Sequence, residues 1–263
     1  GTDKTCVVNS DGTVSVVAGT AAGLGSAVVV NASFFSTAAA FDSNSNKVVI
    51  AYRDDGNGRV GTAVVGTVSG TSISFGSEVV FGASGGSEAR PHGMTFDSNS
   101  NKIVISFTQG TTKAVVGTVS GTSISFGTAA ALSNNGINNT ATFDSNSNKV
   151  VLAFYDSDNS DAGTAAVATV SGTSISFGTA VVFDSSRTDW TDITFDSNSN
   201  KVVICYKDKG NSSYGTAIVG TVSGTNISFG TAAVFHSTVA NAQVITFDSN
   251  SNKVVIAYFI YIN

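Results

Sequence analysis

The chain is poor in charge, in helix-forming residues and in the side chains of most catalytic centres. Only 12% of its 263 residues are Asp, Glu, Lys or Arg, and it has one Pro, one Met, one Trp, two Cys and two His. Glu occurs only as Glu78 and Glu88. Long helices draw on Leu, Glu, Lys, Gln and Arg, so their scarcity excludes a helical fold. No apolar run approaches the roughly 18 residues that span a bilayer, and no signal-peptide pattern is visible, so membrane insertion is not expected. The formal charge of −5 comes with no Lys or Arg run, so the basic footprint of a nucleic-acid binder is missing. The chain opens on Gly1, with its only Met at Met94. This implies that a preceding segment was removed or that the sequence is part of a longer chain, which leaves secretion open.

Val, Ile, Thr and Phe are abundant and favour strands, while Gly, Asn and Ser supply turns. The string FDSNSNK begins at Phe41, Phe96, Phe143, Phe195 and Phe247, with successive copies 47 to 55 residues apart. A second string, close to GTVSGTSISFG, follows at Gly66–Gly76, Gly117–Gly127, Ala168–Gly178 and Gly220–Gly230. Propeller repeats run at about 40–50 residues per blade. Each unit reads as four strands: one ending at Phe-Asp, then Lys47–Tyr52, then Ala63–Val68, then Ser72–Phe75. Apolar residues on both faces of the second and third strands fit blades stacked on either side. After Tyr258 the fifth copy lacks its last two strands, and Thr5–Asn9 with Val14–Thr20 read as a strand pair that supplies them. The expected fold is therefore all-β, a five-bladed β-propeller of four-stranded antiparallel blades forming one domain over residues 1–263. Residues 1–20 complete the last blade and remove the open sheet edges.

The repeat resembles a propeller family associated with marine viral and plankton-derived surface proteins, which implies an extracellular or virion-surface location. The five-fold design is also similar in architecture, though not in motif, to the tachylectin-type propeller lectins.

The repeated Asp42, Asp97, Asp144, Asp196 and Asp248 read as turn residues that accept hydrogen bonds from the following Asn and Ser, not as a catalytic set. The two variable kinds of connection should emerge together on the opposite face. The second-to-third loops are Arg53–Val60, Thr108–Thr112, Tyr155–Ala162 and Lys207–Tyr214. The blade-to-blade loops are Asn31–Ala38, Gly82–Gly93, Ser133–Asn139, Asp184–Asp192 and His236–Gln243. Variable loops on a rigid scaffold are where binding residues concentrate. The ligand-binding candidates there are Arg90, His92, Arg187, Asp189, Trp190, Asp192 and His236, an aromatic platform with aimed polar groups. Asp156, Asp158 and Asp161 alternate as calcium ligands do but lack the closing Glu of a helical calcium loop, and a loop-ordering Asx turn is the plainer reading of them. Calcium is thus the one cofactor considered. Cys205 takes a position that is Ala or Ser in the other copies, and Cys6 replaces a strand Val, so both read as buried free thiols.

Glycoside hydrolysis needs two convergent carboxylates from different blades, and only Asp192 stands out near an innermost strand. No nucleophile–base pair accompanies it, so an enzyme is not expected. The leading expectation is a lectin-like module that binds glycans or another surface ligand through the variable face. The alternative is a structural part of a virion or other larger assembly.

Overall fold

The computed structural model describes residues 6–8, 14–16, 25–82, 87–132 and 135–260. Among them there is no α-helix. A short hairpin, β1 (Cys6–Val8) and β2 (Val14–Val16), comes first. Next is a meander of β3 (Phe34–Asp42), β4 (Lys47–Asp54), β5 (Val60–Ser69) and β6 (Ser72–Phe75), with β7 (Val79–Gly82) returning to pair with β5. The second sheet repeats this with β8 (Arg90–Asp97), β9 (Lys102–Gln109), β10 (Thr111–Ser120), β11 (Ser123–Phe126) and β12 (Ala130–Ala131). The third contains β13 (Gly136–Asp144), β14 (Lys149–Asp156), β15 (Ala162–Ser171) and β16 (Ser174–Phe177). The long β17 (Val181–Asp196) pairs with β15 by its first half and with β18 (Lys201–Asp208) by its second, joining the third sheet to the fourth. The fourth continues with β19 (Tyr214–Ser223), β20 (Asn226–Phe229) and β21 (Ala233–Val239), and β22 (Asn241–Asp248) pairs with β23 (Lys253–Phe259). The pairings are antiparallel throughout.

The repeated turns are built as their residues dictate. Asp97 Oδ1 accepts from the Asn99 and Ser100 amides at 2.9 and 3.0 Å, and its Oδ2 accepts from Ser100 Oγ at 2.6 Å. Asp42, Asp144, Asp196 and Asp248 make the same three bonds. The last Asn of each turn adopts a left-handed backbone, which Asn tolerates better than most residues. These carboxylates therefore hold turns.

The sheets stack in chain order. Val49, Ala51 and Val65 of the first meet Ile103, Ile105 and Phe107 of the second. Val104 and Val116 meet Val150 and Leu152, and Val151 and Val167 meet Ile204 and Tyr206. Odd and even residues of one strand thus serve two interfaces, as alternation requires. Cys205 is fully buried, and burial, reinforced by neighbouring Asp192, pushes its thiol up to about 12. The side chain of Cys6 lies outside the described residues, as does most of the segment expected to complete the last blade.

Candidate functional site

Two kinds of connection meet on one face, as the repeat implied. The Asp55 amide donates to the Ser33 carbonyl, Ser157 to Asn135 and Lys209 to Arg187, tying the second-to-third turns of the first, third and fourth sheets to the chain entering the same sheet. The entering segments differ from the loops expected from sequence. Most of Asp184–Asp192 and His236–Gln243 is strand, within β17, β21 and β22, because these elements pair with β15, β18, β19 and β23.

Each innermost strand also carries a bulge that sequence reading missed. In β17 the register slips between Asp189 and Asp192, so Trp190 and Thr191 stand opposite Tyr206 alone. The same slip occurs in β3, β8, β13 and β22. Five residues before the repeated Phe stand Ser36, Pro91, Asn138, Trp190 and Ala242. All but Pro91 have a left-handed backbone, with φ of 48° to 53°. Proline locks φ negative, so the second copy bulges at His92 instead. Bulges re-aim side chains, and here they turn the residues beside them into shared cavities.

One cavity of about 360 Å³ is lined by His92, Asn138, Asn139, Thr140, Trp190, Thr191, Asp192, Gln243 and Val244, drawn from four consecutive innermost strands. A second, of about 230 Å³, lies between Asn138, Tyr155, Arg187, Asp189 and Trp190. Trp190 borders both and remains 51% exposed. A bulky residue held at φ 53° is a backbone outlier of the kind that clusters at ligand clamps. In the smaller cavity Arg187 Nε donates to Asp189 Oδ1 at 2.9 Å, and its guanidinium lies 5.8 Å from the centre of the Tyr155 ring.

The expected ligand set is thus divided. Arg187, Asp189 and Trp190 share the smaller cavity, while His92 and Asp192 reach the larger one. Both oxygens of Asp192 are engaged: Oδ1 accepts from Thr140 Oγ1 at 2.8 Å and from the Ile193 amide, and Oδ2 accepts from the Ile245 amide at 3.0 Å. Asp192 laces three innermost strands together. Arg90 lies apart, bound to Glu88 through Nε and an end nitrogen in a cluster with Arg53 and Arg59. The Arg90 contact, with Arg53 and Arg59 nearby, holds the Glu88 carboxyl below its ordinary range. His236 is also elsewhere, its ring tilted against that of Tyr258 at 4.9 Å between centres and bonded to Thr238 Oγ1.

The three carboxylates considered for calcium do not converge. Asp156 Oδ1 caps a turn by accepting from the Asp158 amide, Asp158 accepts from the Asn135 amide, and Asp161 pairs with Arg187 at 3.3 Å. Among the described residues no three His, Cys, Asp or Glu side chains gather as metal ligands.

No protein-family model matches the chain, and no curated protein matches it in sequence. Similar solved structures include a protein of unknown function from Dyadobacter fermentans, with TM-score 0.58, 12% identity, and coverage of 86% of this chain and 75% of that one. A triple arginine-to-alanine mutant of AofleA from Arthrobotrys oligospora gives TM-score 0.55 at 7% identity, covering 93% and 68%. Exo-beta-1,3-galactanase from Phanerochaete chrysosporium gives 0.46 at 8%, covering 76% and 53%. The first two share the all-β fold with this chain.

Proposed function

We propose that this chain is a non-enzymatic recognition module that binds glycans at a cell or virion surface through the face bearing the variable connections. The carrying observation is Trp190, half exposed on a left-handed bulge and facing a cavity shared with Tyr155, Arg187 and Asp189. Aromatic faces stack on sugar rings, and a few fixed polar groups orient them. Asp192 braces three strands by both oxygens, which leaves it poorly suited to act as half of a hydrolytic pair.

The scaffold is a closed five-bladed propeller on this reading. A Cβ at Gly76 would stand 1.8 Å from the Thr122 carbonyl oxygen of the next sheet, and Gly127 and Gly178 repeat the contact against Thr173 and Thr225. Gly25 holds the same place against Thr71, as the end of a sheet preceding the first would. The hairpin β1–β2 then completes β22–β23.

A glycan array run with wild type, Trp190→Asn and Arg187→Ala tests the function. The expected result is binding to one coherent sugar class, lost in both variants with unchanged melting. Chelation should leave that binding intact, since the Asp156, Asp158 and Asp161 carboxylates face different partners. A silent array would overturn the glycan reading in favour of a structural part of a larger assembly.

A further inference from the structure

A third cavity, of about 400 Å³, opens where the second sheet meets the third, lined by Ser87, Glu88, Arg90, Thr108, Asn135 and Ile137 with Gly110. By position in the repeat Thr108 corresponds to Tyr155, Asn135 to Arg187 and Ile137 to Asp189. It is therefore the counterpart of the Tyr155–Arg187 cavity one sheet earlier. The charge is reversed between the two. In the later cavity one guanidinium, Arg187, faces the carboxylates of Asp161 and Asp189. In the earlier one Arg90 belongs to a set of three, with Arg53 and Arg59, gathered on Glu88 with Asp55 as the second carboxylate. Asp54 lies on the opposite side of β4 from Arg53 by strand alternation, and it caps the Gly56 amide. Three guanidinium groups against two carboxylates leave a local positive excess on a chain whose formal charge is −5.

Packing accounts for only one of the three. Arg53 is buried, its Nε and both end nitrogens are held by Asp55 and Glu88, and it lies 4.4 Å from the centre of the Phe35 ring. Arg59 and Arg90 keep 60% and 47% of their side chains in water, and ion pairs that exposed add little to stability. Among the described residues Arg59 Nε and Nη2 and Arg90 Nη1 have no acceptor. The other groups around the cavity are also open to solvent: Ser87 is exposed, and Thr108, Asn135 and Ile137 are half-buried.

We propose that this cavity is a second sugar site that takes an acidic residue, its carboxylate or sulfate group meeting Arg90 and Arg59 and its ring lying against Ile137. The proposal rests on the glycan reading and names the ligand class of this second site. A guanidinium presents its N–H donors in a fixed fork that matches an oxyanion. Glu88 does not oppose the ligand: Oε1 accepts from Arg59 and Oε2 from Arg53 and Arg90, so its charge is already matched. Ser87 and Asn135 supply neutral donors and acceptors for ring hydroxyls. The volume falls in the range of about 300–1,000 Å³ typical of small-ligand sites. Without an aromatic platform this site should hold its ligand more weakly than the Trp190 cavity, so it is read by titration in solution and not by retention on an array.

Titration calorimetry tests it, with methyl glucuronide and a sulfated methyl galactoside as acidic ligands, methyl glucoside as the neutral control and inorganic sulfate as the bare anion. The proteins are wild type, Arg59→Gln/Arg90→Gln, Arg59→Lys/Arg90→Lys and Tyr155→Ala/Arg187→Ala. An acidic glycoside should bind wild type and Tyr155→Ala/Arg187→Ala alike, and at least tenfold more weakly to Arg59→Gln/Arg90→Gln at an unchanged melting temperature. The lysine variant, which keeps the charge and loses the fork, should also bind several-fold more weakly. Binding equal to wild type in the glutamine or the lysine variant overturns the proposal, as does inorganic sulfate that binds as tightly as the glycosides. A positive array with no saturable heat from either acidic glycoside overturns it alone and leaves the Trp190 reading intact. Acidic binding beside a silent array keeps this site and discards the Trp190 one, and silence in both experiments removes both.

Discussion

Individual side chains on the variable face are placed against their own preferences. Trp190 sits in a backbone conformation that costs a non-glycine residue about 1–2 kcal/mol, with half its surface in water. Asn138 occupies the equivalent bulge of the third sheet, and Asn tolerates that conformation. Trp190→Asn is therefore expected to keep or raise the melting temperature while weakening glycan binding, measured by thermal denaturation beside the array. A coupled loss of folding and binding would assign the ring to packing. His92 makes a pH prediction. Its folded value of about 4 lies below the ordinary 6.5, so the unfolded chain takes up the proton first as pH falls. The stabilisation is complete above about pH 6.5 and is lost as pH falls through about 4, amounting to at most about 3 kcal/mol. Urea unfolding of His92→Gln should show a flatter pH dependence than wild type across that window.

At the scale of elements, one substitution pattern explains how neighbouring sheets lock. Phe81, Phe183 and Phe235 are the third residues of β7, β17 and β21 and lie over Gly61, Gly163 and Gly215, where a Cβ would come within 2.5 Å of the ring. In the second copy Thr112 replaces the glycine and the smaller Leu132 replaces the phenylalanine, so the two exchanges keep the volume. Phe183 also packs on Tyr206 and Phe229 of the next sheet, at 5.1 and 5.7 Å between centroids. Gly163→Ala should destabilise the protein by about 1–3 kcal/mol through overpacking, read as a lower urea midpoint. Adding Phe183→Leu should recover part of that loss, and no recovery would show that the two positions are not coupled.

Across the whole molecule, the stack of sheets leaves apolar residues uncovered at both of its ends. Val49, Val104 and Val151 are fully buried against the following sheet, while Val255, their equivalent in β23, is 50% exposed. Phe34 on β3 is 53% exposed at the opposite end. Closure of the ring would bring these faces together. Val255→Asp is then expected to cost well over 1 kcal/mol, because a carboxylate would be buried without a partner. A change within about 0.5 kcal/mol, the usual effect at an exposed site, would leave the stack open. The same measurement bears on the proposal that the hairpin β1–β2 completes β22–β23.

Much of this was readable because it is local. The DSNSN and SGT turns, the strand periods and the small residue required at Cys205 follow from side chains acting on their own backbone or on an adjacent sheet of identical pattern. Trp190, Arg187 and Asp189 stood out because they break the repeat. The cavity shared by His92, Asn139, Thr191 and Gln243 did not stand out, because Thr, Asn and Gln look like ordinary connection residues when read one copy at a time. The amino-acid sequence by itself determined the all-β architecture, the repeated turns and the face that varies. Only the tertiary structure decided that bulges in separate innermost strands turn residues about fifty positions apart into one cavity, and that Asp192 braces strands while Asp156, Asp158 and Asp161 turn apart. Convergence depends on strand register and on the order in which sheets stack, and neither can be read from a single repeat.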